Sequence, residues 1–199
     1  MHPIVSTLLA AVLALPFAAA PVSAETFFAQ STSMAPAIFG GETVNLDKTA
    51  FAEREPVAGD IVVYTLSWST TVPFAHRVIG VGGDTVQVTN SAVFLNGKPV
   101  ATADAGTYRS TTKSIPQVRE TLPNGRTYLV LNENPAAPEN NTAVFTVPAG
   151  HYFVLGDHRN AASDSRRKDG GFIPRAAIIG RLTAISVSRT DGREGTKLD

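Results

Sequence analysis

Cysteine is absent from the 199 residues, which removes a disulfide scaffold, a thiol nucleophile and a cysteine-ligated metal together. Its absence fits an extracytoplasmic location. Excess charge of either sign is missing too, since 17 Lys and Arg balance 17 Asp and Glu. No basic stripe stands out, so nucleic acid is not an expected partner. Charged residues make up 17% of the chain, below the usual quarter or so, which is common where strands and an apolar segment dominate. No His-x-His or His-Glu-x-x-His spacing links His76, His151 and His158, so neither a metal nor another cofactor is expected. The length suits one domain with a core of its own.

Charge is missing altogether from Pro3 to Ala24. A helix of that length would cross a hydrocarbon layer of roughly 30 Å. Pro16 and Pro21 weaken its second half, and Val22-Ser23-Ala24 carries the small residues of a signal-peptide cleavage site. Residues 1–24 therefore read either as a retained membrane anchor or as a cleaved leader. Both readings place the remainder across a membrane.

After Glu25 the pattern changes to short strands. Candidates are Ile61–Tyr64, Arg77–Val81, Thr85–Val88, Ala92–Leu95, Thr127–Leu131, Phe145–Pro148, Tyr152–Leu155 and Ile178–Ser188. Asn96-Gly97 between two such runs predicts a hairpin turn. No convincing amphipathic helix follows residue 24. The expectation is a mainly β catalytic core at 25–189, with a variable β insertion at 88–147. Residues 102–126 and 132–143, rich in Thr, Ser, Asn and Pro, read as exposed loops. Residues 190–199 read as a mobile polar tail.

Three short runs carry the chemistry. The first is Ser31-Thr32-Ser33-Met34-Ala35-Pro36, two hydroxyls close together before an apolar residue. A serine hydroxyl becomes a useful nucleophile only when a base takes its proton. The second is Ala75-His76-Arg77-Val78-Ile79-Gly80, where His76 can serve as that base, with an ordinary pKa of about 6.5. Lys48 and Lys98 read as solvated lysines. The third run, Leu155-Gly156-Asp157-His158-Arg159 through Asp164-Ser165-Arg166, supplies carboxylates that could accept the second imidazole N–H.

Together the three runs resemble the motif set of type I signal peptidases, the serine peptidase family S26. The resemblance covers about residues 26–88 and 148–185. It implies an antiparallel β catalytic core behind an N-terminal hydrophobic helix, and favours the retained anchor. It implies a single-pass protein of the bacterial cytoplasmic membrane, with the catalytic domain outside, membrane lipid around the anchor, and preprotein signal peptides as substrates. Cleavage would follow small residues, with Ser33 as nucleophile and with Ser31 and the Ser33 N–H holding the oxyanion. Arg77, Asp157 and Arg166 become structural residues near the site, and Met34 and Ile79 become candidate pocket residues.

The sequence departs from the family pattern at two linked places. The bacterial enzymes usually carry a lysine base where this chain has His76, and a serine that holds the lysine where it has Ala162. Histidine at the base position resembles the microsomal-type enzymes, so Asp164, ahead of Asp157, is expected to orient His76. The acid limb of activity is then expected near pH 6–7. Three alternatives stay open: a conjugation or pilus-type processing peptidase of the same family, a self-cleaving repressor-type peptidase, and an inactive homologue that binds preproteins.

Overall fold

The computed structural model describes residues 25–110, 112–167 and 170–198. The expected helix at 1–24 lies outside the described residues. Among those described, no helix is long and apolar enough to cross a membrane.

The chain is mainly β. In order the strands are β1 (Glu25–Phe28), β2 (Thr43–Asp47), β3 (Ile61–Leu66), β4 (Ser69–Val81), β5 (Thr85–Thr89), β6 (Ala92–Leu95) and β7 (Lys98–Pro99). There follow β8 (Ala101–Arg109), β9 (Ser114–Thr121), β10 (Thr127–Leu131), β11 (Phe145–Thr146), β12 (His151–Leu155), β13 (Ile173–Pro174) and β14 (Ile178–Val187). A seven-stranded sheet runs β1-β2-β14-β3-β4-β12-β13. A four-stranded sheet, β11-β5-β6-β7, and a three-stranded sheet, β10-β9-β8, complete the fold. All strand pairings are antiparallel.

β3 explains how the large sheet is buried on both faces. Side chains alternate along a strand. Ile61 and Val63 enter a cluster with Met34, Ile38, Leu182 and Ile185. Val62 and Tyr64 enter another with Val78, Tyr152 and Ile173. A third cluster, built on Ile79, Val86, Leu122 and Phe153, joins the large sheet to the two smaller ones. The Asn96-Gly97 turn forms as expected, with φ of 54° and 73°, the positive pair that a type I′ hairpin requires.

Two expectations fail. Residues 102–126 are exposed but not looped, since β8 and β9 form a long hairpin that pairs on to β10. Their threonines favour strands, yet so few of their residues are buried that no apolar alternation marks them. The end of the chain is not a loose tail. Leu198 is buried in the core, Leu198 N–H donates to Thr183 O, and Arg193 pairs with Glu42 at 2.6 Å while lying over the Phe39 ring. A polar composition hid an element held by one buried leucine and one half-buried ion pair.

A buried ion pair joins β4 to the segment after β12. Arg77 Nε and one terminal nitrogen donate to the two Asp157 carboxylate oxygens at 2.9 and 2.7 Å. Its other terminal nitrogen donates to Gly59 O, and the guanidinium lies 4.3 Å from the centre of the Tyr128 ring. Both residues are buried. Removing one partner leaves the other charge stranded. Asp157→Ala is therefore expected to cost about 3–5 kcal/mol, read as a shift of the urea midpoint at pH 7.

Candidate active site

The serine motif lies where the chain leaves β1. Met34 is buried among Ile38, Ile61 and Ala75 and fixes the segment to the core. Ser33 O accepts the His158 N–H at 3.0 Å, which ties the segment to the third motif. Ser31 Oγ lies 3.1 Å from Ser33 Oγ and 3.4 Å from Ser33 N. The two hydroxyls and the Ser33 N–H are thus gathered at one point on the edge of the domain.

His76 approaches from β4. It is 2% exposed and pairs in register with Val62 of β3. Its Nδ1 lies 2.8 Å from the Tyr64 hydroxyl, while Nε2 has no hydrogen-bond partner. Ser31, Ser33 and His76 line one cavity of about 190 Å³, together with Phe27, Ala29, Met34, Ile38, Val72 and Phe74. The wall is mostly apolar. Burial pushes the His76 imidazole down to about 4, with Asp164 opposing and Arg166 reinforcing that fall.

The third motif brings the two sides together through Gly156. A Cβ there would sit 2.3 Å from Ala162 Cβ, 2.7 Å from Ser33 O and 3.5 Å from His76 Cδ2. Only glycine allows that approach.

The expected hydrogen bond from His76 to Asp164 does not form. Asp164 is fully buried, and its carboxylate accepts from Gly156 N–H, from Arg166 N–H and from the Arg166 guanidinium at 2.8 and 2.9 Å. Asp157, the other candidate, is held by Arg77. Ile79 is also misplaced as a pocket residue, because it points into the cluster around Phe153 rather than the cavity. Of the two pocket candidates only Met34 lines the cavity. Ser163 is exposed and Ala162 buried, so the lost hydroxyl has not been replaced by its neighbour.

His151 and His158 stand apart from the cavity. His151 Nδ1 donates to Ala149 O, and His158 Nε2 lies 2.8 Å from Glu133 Oε1.

Tyr64 was missed by the sequence reading, which saw only an apolar strand. Its signal was register: Tyr64 pairs with Phe74, two residues from His76, which makes Tyr64 and His76 diagonal neighbours. Glu120 was missed likewise. It accepts from Arg159 at 2.6 Å and from Tyr128 at 2.7 Å, and so fastens β9 and β10 to the third motif.

Burial of neutral His76 has a consequence for stability. The unfolded chain takes up a proton at the ordinary value of about 6.5, and the folded chain only near 4. The contribution is complete above about pH 6.5, is lost as pH falls towards 4, and changes little below that. Urea midpoints at pH 7.5 and 4.5 should therefore fall further for the wild type than for His76→Gln. Equal falls would show an imidazole that is not buried.

The model of the family described as "Signal peptidase, peptidase S26" matches residues 1–187. Signal peptidase I of Rickettsia prowazekii (strain Madrid E) is 37% identical over 150 residues, covering 71% of this chain and 56% of the relative. Signal peptidase I of Rickettsia typhi (strain ATCC VR-144 / Wilmington) is 38% identical over 140 residues, covering 66% and 52%. This chain thus matches only about half the length of these relatives. Among solved structures, a signal peptidase I from Enterococcus faecalis V583 is 26% identical with a TM-score of 0.41, over 65% of this chain and 98% of that one. From the span of the family match and the identity to these relatives, the chain belongs to the peptidase S26 family of signal peptidases.

Proposed function

We propose that this chain is a signal peptidase I-like serine endopeptidase, which cleaves signal peptides from exported preproteins after small residues. The observation that carries the reading is the shared cavity. Ser33 and His76 line it together, and His76 Nε2 is buried without a hydrogen-bond partner. Residues 72–75 of β4 also line it, and of these Phe74 and Ala75 pair with β3 on one side only among the described residues. An extended peptide can hydrogen-bond along such an edge. The modest apolar volume suits small side chains beside the scissile bond.

In this reading Ser33 Oγ attacks the substrate carbonyl carbon and its proton passes to His76 Nε2. The Ser33 N–H and the Ser31 hydroxyl then hold the negative oxygen of the tetrahedral intermediate. His76 returns the proton to the departing amine. Water, deprotonated by the same nitrogen, hydrolyses the acyl-serine and regenerates Ser33. Residues 1–24 would anchor the domain at the outer face of the bacterial cytoplasmic membrane, where signal peptides emerge.

A peptide spanning a signal-peptide junction, with alanine at the first and third positions before the bond, tests this. Ser33→Ala should reduce kcat/KM by at least about a thousand-fold with the fold intact. Activity near the wild-type level in Ser33→Ala would remove Ser33 as nucleophile. No turnover in either protein would leave a preprotein-binding homologue.

The acid limb of kcat/KM reports the base of the free enzyme. With His76 lowered to about 4 by burial, the limb should lie well below 6.5, and activity should persist at pH 5. This replaces the value of 6–7 that an unperturbed imidazole suggests. A limb at 6.5 or above would mean that His76 is hydrated or is not the base.

A further inference from the structure

The established pairing logic of a serine–histidine site leaves one group to be named here, the acceptor that fixes the second ring nitrogen. The carboxylate expected in that place is occupied by Arg166 and the Gly156 N–H. The group that does meet Nδ1 is the Tyr64 hydroxyl, at 2.8 Å.

Tyr64 is unusually well fixed for the task. It is 1% exposed, and its ring stacks on Phe74 at 5.9 Å and 24°. Phe74 is also its register partner on β4, so the strand pairing that sets Tyr64 also sets His76. The two rings lie 6.0 Å apart, tilted by 43°.

A neutral imidazole carries one N–H. With the hydrogen on Nε2, Nδ1 would accept from Tyr64 and no lone pair would face Ser33. With the hydrogen on Nδ1, Tyr64 accepts and Nε2 is bare. The role of base decides between them, since only the second tautomer leaves a lone pair on Nε2 for the Ser33 proton.

We propose that Tyr64 is the positioning residue of His76: its hydroxyl accepts the Nδ1–H, fixing the ring and the tautomer whose bare Nε2 takes the Ser33 proton. This rests on the peptidase reading above for the tautomer and its role in turnover, but not for the contact between Tyr64 and His76. Tyr64 stands where a carboxylate stands in a serine–histidine–aspartate site. Being neutral, it orients the imidazole without adding a charge to stabilise imidazolium.

The test uses the full chain with 15N-labelled histidine, and Tyr64→Phe, which keeps the ring and its stacking. In the wild type near pH 7 the His76 nitrogen shifts should report hydrogen on Nδ1 and a bare Nε2. In Tyr64→Phe they should move towards a mixture of tautomers. On the junction peptide kcat should fall about 10- to 100-fold with KM unchanged, less than removal of the base itself. Hydrogen on Nε2 in the wild type would overturn the proposal. So would a folded Tyr64→Phe with wild-type kcat and unchanged nitrogen shifts. If the wild type proves inactive, the peptidase reading falls, while the nitrogen shifts still decide whether Tyr64 sets the tautomer.

Discussion

At Gly156 three parts of the chain come within contact distance of one hydrogen atom. The Ser33 carbonyl, Ala162 and His76 all lie where a side chain would have to go. The serine motif belongs to the edge of the large sheet, the histidine to β4, and the glycine to the exit of β12. Their convergence is held from both directions. The His158 N–H bonds to Ser33 O beyond the glycine, and the Gly156 N–H bonds to Asp164. Ser33 and His76 therefore share a cavity because the backbone between them is thin enough to let them approach. A larger residue would force apart the segments that carry Ser33 and His76.

Beneath this meeting point lies a layer of buried charge. Arg77 with Asp157, Arg159 with Glu120, and Arg166 with Asp164 are each less than a tenth exposed. Such pairs add little net stability against apolar residues of the same size, but a broken one is costly. They link β4, the β9–β10 hairpin and the third motif in one register. They also occupy the acidic groups nearest the site, which is why none is free to accept from His76. The ring is left with the Tyr64 hydroxyl as the partner of Nδ1.

Local patterns carried much of this architecture. The core strands were legible because apolar runs ended in turn residues, as at Ile61–Tyr64 and Ala92–Leu95. The β8–β9 hairpin was not, because β8 buries no residue and β9 buries only Ile115 and Glu120, too few to leave an apolar alternation. The end of the chain was misread for a related reason: one leucine and one arginine, Leu198 and Arg193, decide its place. Ser33 and His76 stand out by residue type and motif, and the fold brings them to one cavity. Their partners do not stand out. Asp164 and Ile79 lay close by in motif order, but a two-residue turn gives Asp164 to Arg166, and burial in the neighbouring cluster takes Ile79 away. Tyr64 could be found only through the register of β3 against β4.

The exchange of lysine for histidine acquires a physical reading from the same cavity. Burial disfavours the charged form of either base. Acting on a lysine, with an ordinary value of about 10.4, desolvation makes a proton acceptor available near neutrality. Acting on His76 it goes further than neutrality requires, to about 4. The imidazole is therefore neutral over nearly the whole useful pH range, but it is a weaker base. What it needs is the correct tautomer rather than help in losing a proton. An amine also presents several hydrogens that must be held, which the resemblance assigns to the serine that Ala162 replaces. A neutral imidazole has one, and Tyr64 lies in position to accept it. Once the base has a single hydrogen with a place to go, a hydroxyl at position 162 has no donor left to satisfy. A small apolar side chain there leaves room for Gly156 and Ser33 to close on each other.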